Sequence, residues 1–336
     1  MNRLPAGVVG PVLLLAVLSG CGGGDRIVAD GRPVAVATIA PLADLLRSVA
    51  GPGWTVRTVI PPGTSPHVFE PEPSDLRKLV GAKLVVVAGA GYDAWMLRVL
   101  AACASDAHVH DAAASLGIGP GAHDKKAADL HEDHDHGSEG GPGEKVHPEA
   151  EGHEGHAHGT LGEDPHWWLS PVLAARSLGP IAEAFAAVDP AGAEGYRRRA
   201  RETADAYLAL DRELAATLGP LRGKRFVSAH RAWVYFADRY GLVEAASIEP
   251  VPGREPSPRE LKALIVEGRR GGLGRLFTEP QFPPAAARVV AREARLSLTL
   301  VDPIGGVPGR ETYPALMRFN AAAFRRGLLD APGGKE

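Results

Sequence analysis

The sequence predicts an α/β protein of two lobes, each with a mostly parallel sheet flanked by helices, the two joined by one long rigid helix. Three observations carry the prediction. Short β-branched runs alternate with helical patterns in the first half of the chain, the same alternation recurs in the second half, and a stretch almost free of helix breakers stands between them. A chain of 336 residues is enough for two domains of ordinary size.

In the first half, Val34 to Ile39, Val56 to Ile60 and Leu84 to Ala88 read as buried strands, with helices at Pro41 to Ala50 and Ser74 to Val80. Pro41 suits the first turn of its helix, and Ser74 with Asp75 suits an N-cap. Residues 191–218 are rich in Ala, Arg and Glu and predict a helix of about seven turns, a stiff connector. In the second half, Arg225 to Ser228, Val243 to Ile248, Arg275 to Thr278 and Leu298 to Val301 read as strands. Helical patterns at Trp233 to Tyr240, Arg259 to Val266, Ala285 to Ala294 and Tyr313 to Leu328 separate and follow them. The lobes are therefore expected at 33–190 and 219–330.

The first 20 residues read as a lipoprotein signal peptide. Arg3 opens it, the apolar run Val8 to Leu18 is too short to span a bilayer, and Leu18-Ser19-Gly20-Cys21 looks like a lipobox. Cys21 would be acylated, and residues 21–32, with Gly22 to Gly24, would form a flexible tether. An ordinary cleaved signal with an incidental Cys21 is the alternative. The expected location is extracytoplasmic, in periplasm or at the cell surface, anchored to a bacterial membrane by lipid. The second of the two cysteines, Cys103, then has no internal disulfide partner.

A formal net charge of −3 with 45% hydrophobic and 23% charged residues excludes a mostly disordered chain. No basic patch stands out to neutralise a run of phosphates, so a nucleic-acid partner is not expected. One segment fits neither lobe. Residues 123–158 hold eight histidines, ten acidic residues, three lysines and six glycines, and almost nothing apolar to bury. This composition predicts a disordered insertion that captures metal weakly through His123, His131, His134, His136, His147, His153, His156 and His158.

Once His108 and His110 are set aside as leading into that insertion, three histidines remain: His67, His166 and His230. His67 follows the strand ending at Ile60, and His230 directly follows the strand that begins at Arg225. Glu279 and Asp302 likewise stand at strand ends. Ligands of open parallel sheets bind at the carboxyl ends of strands, so these are the positions where a site is expected.

The stretches Pro62-Gly-Thr-Ser-Pro-His67-Val-Phe-Glu70-Pro-Glu-Pro-Ser-Asp75, Asp164-Pro-His166-Trp-Trp-Leu-Ser-Pro171 and Asp302-Pro-Ile-Gly305 closely resemble the metal-binding solute-binding proteins of zinc and manganese ABC importers. The resemblance runs from about Val34 to Leu329. It implies two α/β lobes joined by a single long helix, with the metal in the cleft between the lobes. It also implies metal ligands His67 and His166 from the first lobe and His230 and Asp302 from the second. Glu279 is a candidate alternative ligand or supporting residue. Asp164 is a candidate partner for a liganding imidazole, although an aspartate before proline is also a common turn-former.

His230 stands where the resemblance places histidine in zinc members and glutamate in manganese members. Three imidazoles with one carboxylate suit Zn2+, whereas Mn2+ favours oxygen-rich, higher coordination. The implied function is high-affinity capture of zinc and its delivery, as a monomer, to the permease of an ABC importer, with no enzymatic activity. Other readings are a manganese-binding member, a zinc-binding adhesin or buffer, and a zinc-dependent hydrolase with Glu279 as general base. The hydrolase reading lacks a His-Glu-x-x-His helix.

Overall fold

The computed structural model describes residues 31–102, 106–119, 164–249, 254, 256–270, 273 and 275–329. The signal, Cys21, Gly22 to Gly24, Cys103 and the histidine-rich tract, from His123 to His158, lie outside the described residues.

The first sheet contains β1 (Val34–Ala37), β2 (Thr55–Thr58), β3 (Ala82–Val87) and β4 (His108–Asp111), in the order β2-β1-β3-β4. Every pairing is parallel, with Val36 opposite Arg57 on one side and Val85 on the other. All four residues of β1, and Leu84 to Val87 of β3, are buried. Burial on both faces is why these central strands are continuous apolar runs rather than alternating ones. The second sheet contains β5 (Arg225–His230), β6 (Val243–Glu249), β7 (Arg275–Thr278) and β8 (Ser297–Leu300), again all parallel, in the order β6-β5-β7-β8. Each sheet reverses its direction of growth once, between β1 and β3 and between β5 and β7. The carboxyl ends flanking such a reversal open a crevice that suits a ligand.

Helices α1 (Ala40–Ala50), α2 (Pro73–Leu76), α3 (Ala94–Ala102), α4 (Ala112–Ser115) and α5 (Pro171–Val188) belong to the first half. Helix α6 (Ala193–Leu218) follows, and its 26 residues span about 39 Å. Its buried residues Tyr196, Ala200, Tyr207, Leu210, Leu214 and Leu218 recur every three or four positions, or seven, and so line one face. That face packs on α1 and α5, and also on α10 (Tyr313–Leu329) of the second half. Helices α7 (Val234–Tyr240), α8 (Pro258–Arg269) and α9 (Pro284–Ala294) complete the second half. The described residues from Arg32 onward cluster as one compact unit, so the two sheets share a continuous framework.

Several sequence expectations shift locally. β1 stops at Ala37, because Ile39 is already the N-cap residue of α1. The helix expected over Ser74 to Val80 is four residues of α-helix followed by a 3-10 turn, Arg77–Leu79. Its N-cap is Glu72 rather than Ser74: Pro73 takes the first helical position, and the Glu72 amide donates to the Asp75 carboxylate at 3.1 Å. Edge strand β4 and helices α3, α4 and α5 carry weaker sequence signals. β4 is His-Val-His-Asp, and α5 contains Gly179 and Pro180.

The segment after β8 fastens the second half to the first. The Trp168 indole N–H donates to the Pro303 carbonyl at 2.8 Å, the Tyr313 hydroxyl donates to the Trp168 carbonyl at 2.7 Å, and the Tyr313 amide donates to the Asp44 carboxylate at 2.7 Å. Gly306 lies between them at φ +76°, and a Cβ there would stand 2.8 Å from the Cβ of Ala40 and 3.4 Å from Pro62. Only glycine lets the two backbones come this close in this conformation.

Candidate metal centre

His67 lies in the 3-10 turn Pro66–Val68 after β2, and His166 immediately precedes the 3-10 turn Trp167–Leu169. His230 is the last residue of β5, at the reversal point of the second sheet. These three elements aim the imidazoles at one another. His67 Nε2 lies 3.2 Å from His166 Nε2, and His230 Nε2 lies 3.4 Å from the same atom. One ligand atom from each of the three histidines lies within 4.8 Å of the others.

The far side of two rings is held by carboxylates. Asp164 Oδ1 lies 3.0 Å from His166 Nδ1 and also accepts the His166 backbone N–H at 2.8 Å. Glu279 Oε2 lies 2.7 Å from His230 Nδ1, while its Oε1 accepts the Trp233 indole N–H at 3.2 Å. Both carboxylates therefore place the N–H on Nδ1 and leave the Nε2 lone pairs facing inward. Electrostatics follow this arrangement. Burial pushes the His67 imidazole down to about 2, with its neighbours His166 and His230 adding to the shift. Burial opposes charge on His230 too, but the adjoining Glu279 carboxylate outweighs it and raises the imidazole. Burial works against ionised Asp164, yet His166 beside it holds its carboxyl below the usual range.

The structure does not bring Asp302 into the histidine group. Its Oδ1 accepts the backbone N–H groups of Ile304 and Gly305, both at 3.0 Å, and the Gln281 side-chain amide at 3.3 Å. Its Oδ2 faces Arg310 Nη1 at 3.0 Å. Both oxygens thus serve the segment that fastens the two halves. Glu279 touches His230 through Nδ1, the ring nitrogen on the side away from the imidazole cluster.

The fold and the three-histidine cluster can be set beside known proteins. The family model described as "ZnuA: Zinc-uptake complex component A periplasmic" matches residues 35–327. The chain belongs to this ZnuA family. It is 29% identical over 311 residues to the high-affinity zinc uptake system protein ZnuA of Brucella abortus (strain 2308), covering 88% of this chain and 92% of that one. It is 25% identical over 321 residues to the zinc-binding protein AdcA of Streptococcus pyogenes serotype M3, covering 93% of this chain. It spans only 58% of that relative's length. The solved structure of a ZnuA deletion mutant with zinc bound superposes with a TM-score of 0.67 at 26% identity, over 91% of this chain and 100% of that one.

Within this ZnuA-family fold, a cavity of about 220 Å³ opens beside the histidines, lined by Ser65, His67, Tyr92, His230, Gln281 and Ile304 among others. Tyr92 sits at the carboxyl end of β3, in a turn where Gly89, Ala90 and Gly91 all have positive φ. Buried Asp93 pins that turn by accepting from the Ala88 amide at 2.6 Å, the Gly89 amide at 3.0 Å and the Thr38 hydroxyl at 2.6 Å. The Tyr92 ring stands edge-on to His67, with centroids 4.9 Å apart, and lies 5.5 Å from His166. Neither Tyr92 nor Gln281 was legible as a site residue in the sequence. Their only signal is a place just beyond the ends of β3 and β7, where ligand-facing residues of parallel sheets collect.

Proposed function

We propose that the protein captures zinc outside the cytoplasm through the Nε2 atoms of His67, His166 and His230, and delivers it to the permease of an ABC importer. The convergence of three Nε2 atoms backed by two carboxylates carries this reading. Three nitrogen donors with one further position suit zinc's tetrahedral preference, and they contrast with the oxygen-rich sphere that manganese favours. The low proton affinity of His67 keeps that imidazole neutral and ready to bind. The formal charge of the centre closes as well: the two positive charges of zinc meet one negative charge each from Asp164 and Glu279.

Asp302, the fourth ligand that the motif resemblance suggests, acts in this reading as an anchor for Ile304, Gly305 and Arg310. The lipid anchor at Cys21, and weak metal capture by the histidine-rich tract, complete the proposal as accessory features. A hydrolase would need Glu279 free as a general base. That carboxylate is instead committed to His230 and Trp233.

The test is metal content and chelator-competition affinity of the protein starting at Asp25 and lacking residues 123–158, offered zinc and manganese together. One tightly held zinc per chain is expected. Manganese preference, or no tightly held metal, overturns the reading.

A further inference from the structure

Helices α8 and α9 pack side by side and bring a group of guanidiniums together. Arg288, Arg292 and Arg295 are all exposed and recur after four and three residues, so they share one stripe of α9 and its end. Arg269, at the end of α8, joins them: its Nε donates to the Glu293 carbonyl at 2.7 Å and its Nη2 to the Glu293 carboxylate at 3.2 Å. The other oxygen of that carboxylate accepts from Arg292 Nε at 3.1 Å. Glu293 is the only acidic residue between Pro284 and Leu300, so four guanidiniums meet one carboxylate. Arg288 and Arg295 have no ion pair among the described residues. In a chain of formal net charge −3, this is a locally positive surface, assembled from two helices that lie on either side of β7 in the sequence.

Apolar side chains lie in the same surface. Val289, Leu298 and Leu300 are 48%, 37% and 44% exposed. Leu298 is in register with Leu276, which shares a core with Val290, Ala291 and Ala294 of α9, so Leu298 and Leu300 lie on the α9 side of the sheet. β8 is the edge strand there. At about 100° per residue, Arg288 and Arg295 fall on the flank of α9 opposite Glu293. Glu293 meets α8, so those two arginines stand on the flank toward β8. We propose that this face, α9 with the edge of β8, binds anionic headgroups at a membrane surface. Arg288, Arg292 and Arg295 take the phosphate oxygens, which suit a guanidinium fork, while Val289, Leu298 and Leu300 enter the boundary with the acyl chains. Aliphatic side chains among the cations, with no aromatic ring between Pro284 and Leu300 on which a base could stack, favour lipid over nucleic acid. The described chain enters the first half just before β1, so the tether proposed at Cys21 and this contact on the second half would together fix how the molecule lies on the membrane. That orientation rests on the proposed anchor; headgroup binding does not.

Cosedimentation with lipid vesicles tests the proposal on protein starting at Asp25, which keeps every described residue and carries no lipid, with EDTA present so that no metal bridges protein to phosphate. The protein should bind vesicles of equimolar phosphatidylcholine and phosphatidylglycerol, ignore pure phosphatidylcholine, and be released as salt rises past about 0.15 M, where the Debye length is about 8 Å. Arg288→Gln with Arg295→Gln should weaken partitioning about 10- to 30-fold, since each cation near an anionic surface contributes about 5-fold. Zinc affinity and the circular dichroism spectrum should be retained in that variant. Arg288→Lys with Arg295→Lys keeps the charge and should keep most of the binding. Arg198→Gln with Arg201→Gln, on an exposed face of α6, should leave binding unchanged. Indifference to phosphatidylglycerol overturns the proposal, as does undiminished binding in the Arg288 and Arg295 glutamine variant. An equal loss in the α6 variant shows an effect of overall charge and also overturns it. Capture of polyaspartate or duplex DNA through Arg288 and Arg295 without vesicle binding assigns the face to a soluble polyanion instead and overturns the membrane assignment.

Discussion

At the scale of single residues, the centre divides its labour between groups that would touch metal and groups that orient them. Replacing His166 by Ala removes the nitrogen to which both other imidazoles are nearest, and zinc affinity in chelator competition should fall by two orders of magnitude or more, with the circular dichroism spectrum retained. Asp164→Asn and Glu279→Gln keep the shape but weaken the hold on each Nδ1–H. Each should cost about 10- to 100-fold in affinity by the same competition. His67 carries a pH signature. Its folded value near 2 lies below the unfolded one near 6.5, so the stability it contributes as a neutral ring is present above pH 6.5 and is lost as pH falls toward 2. Urea unfolding of the metal-free protein should therefore show wild type losing stability relative to His67→Leu between pH 7 and pH 5, by at most about 1.4 kcal/mol per pH unit.

At the scale of elements, the site is a product of chain reversals. His230 closes β5, Glu279 follows β7 and Tyr92 follows β3, all beside the two places where sheet growth changes direction. The segment after β8 is the other decisive element. Gly306→Val should destabilise the protein by about 3 kcal/mol in urea unfolding, since the side chain would meet both a positive φ and Ala40. The sequence shows much of this scaffold. β-branched runs disclose β1, β3, β5 and β7, and breaker-free spacing discloses α6. His67, His166 and His230 are legible because isolated histidines beside strand ends are conspicuous. The fate of Asp302 is not legible, because Arg310 is eight residues away along a loop whose path no local periodicity encodes. Tyr92 is hidden for a related reason: its meeting with His67 depends on a turn of three positive-φ residues and on the Asp93 hydrogen bonds beneath it. β4 escapes as well, since four polar-rich residues at a sheet edge carry little apolar pattern.

At the scale of the whole molecule, a 26-residue helix and the contacts of Trp168, Gly306 and Tyr313 bind the two halves into one framework. A hinge opening wide enough to separate His67 from His230 would break all of these contacts together. Small-angle X-ray scattering of protein lacking residues 123–158 should accordingly show little change in radius of gyration on zinc addition. The same protein should still bind one zinc tightly by calorimetry, because none of the three clustered imidazoles comes from the deleted residues.

The fastening of the two halves by the segment after β8 has an informational consequence. In the proposed carrier role, a protein that hardly alters its outline on loading cannot announce its cargo by shape. What would change on loading is the charge inside the cleft, where a divalent ion would cancel the field of the nearly inaccessible Asp164 and Glu279 carboxylates. If the proposed delivery to a permease holds, a receptor that distinguishes full carriers from empty ones would have to read electrical potential and loop detail beside the cavity, and its own docking face should carry the complementary charges.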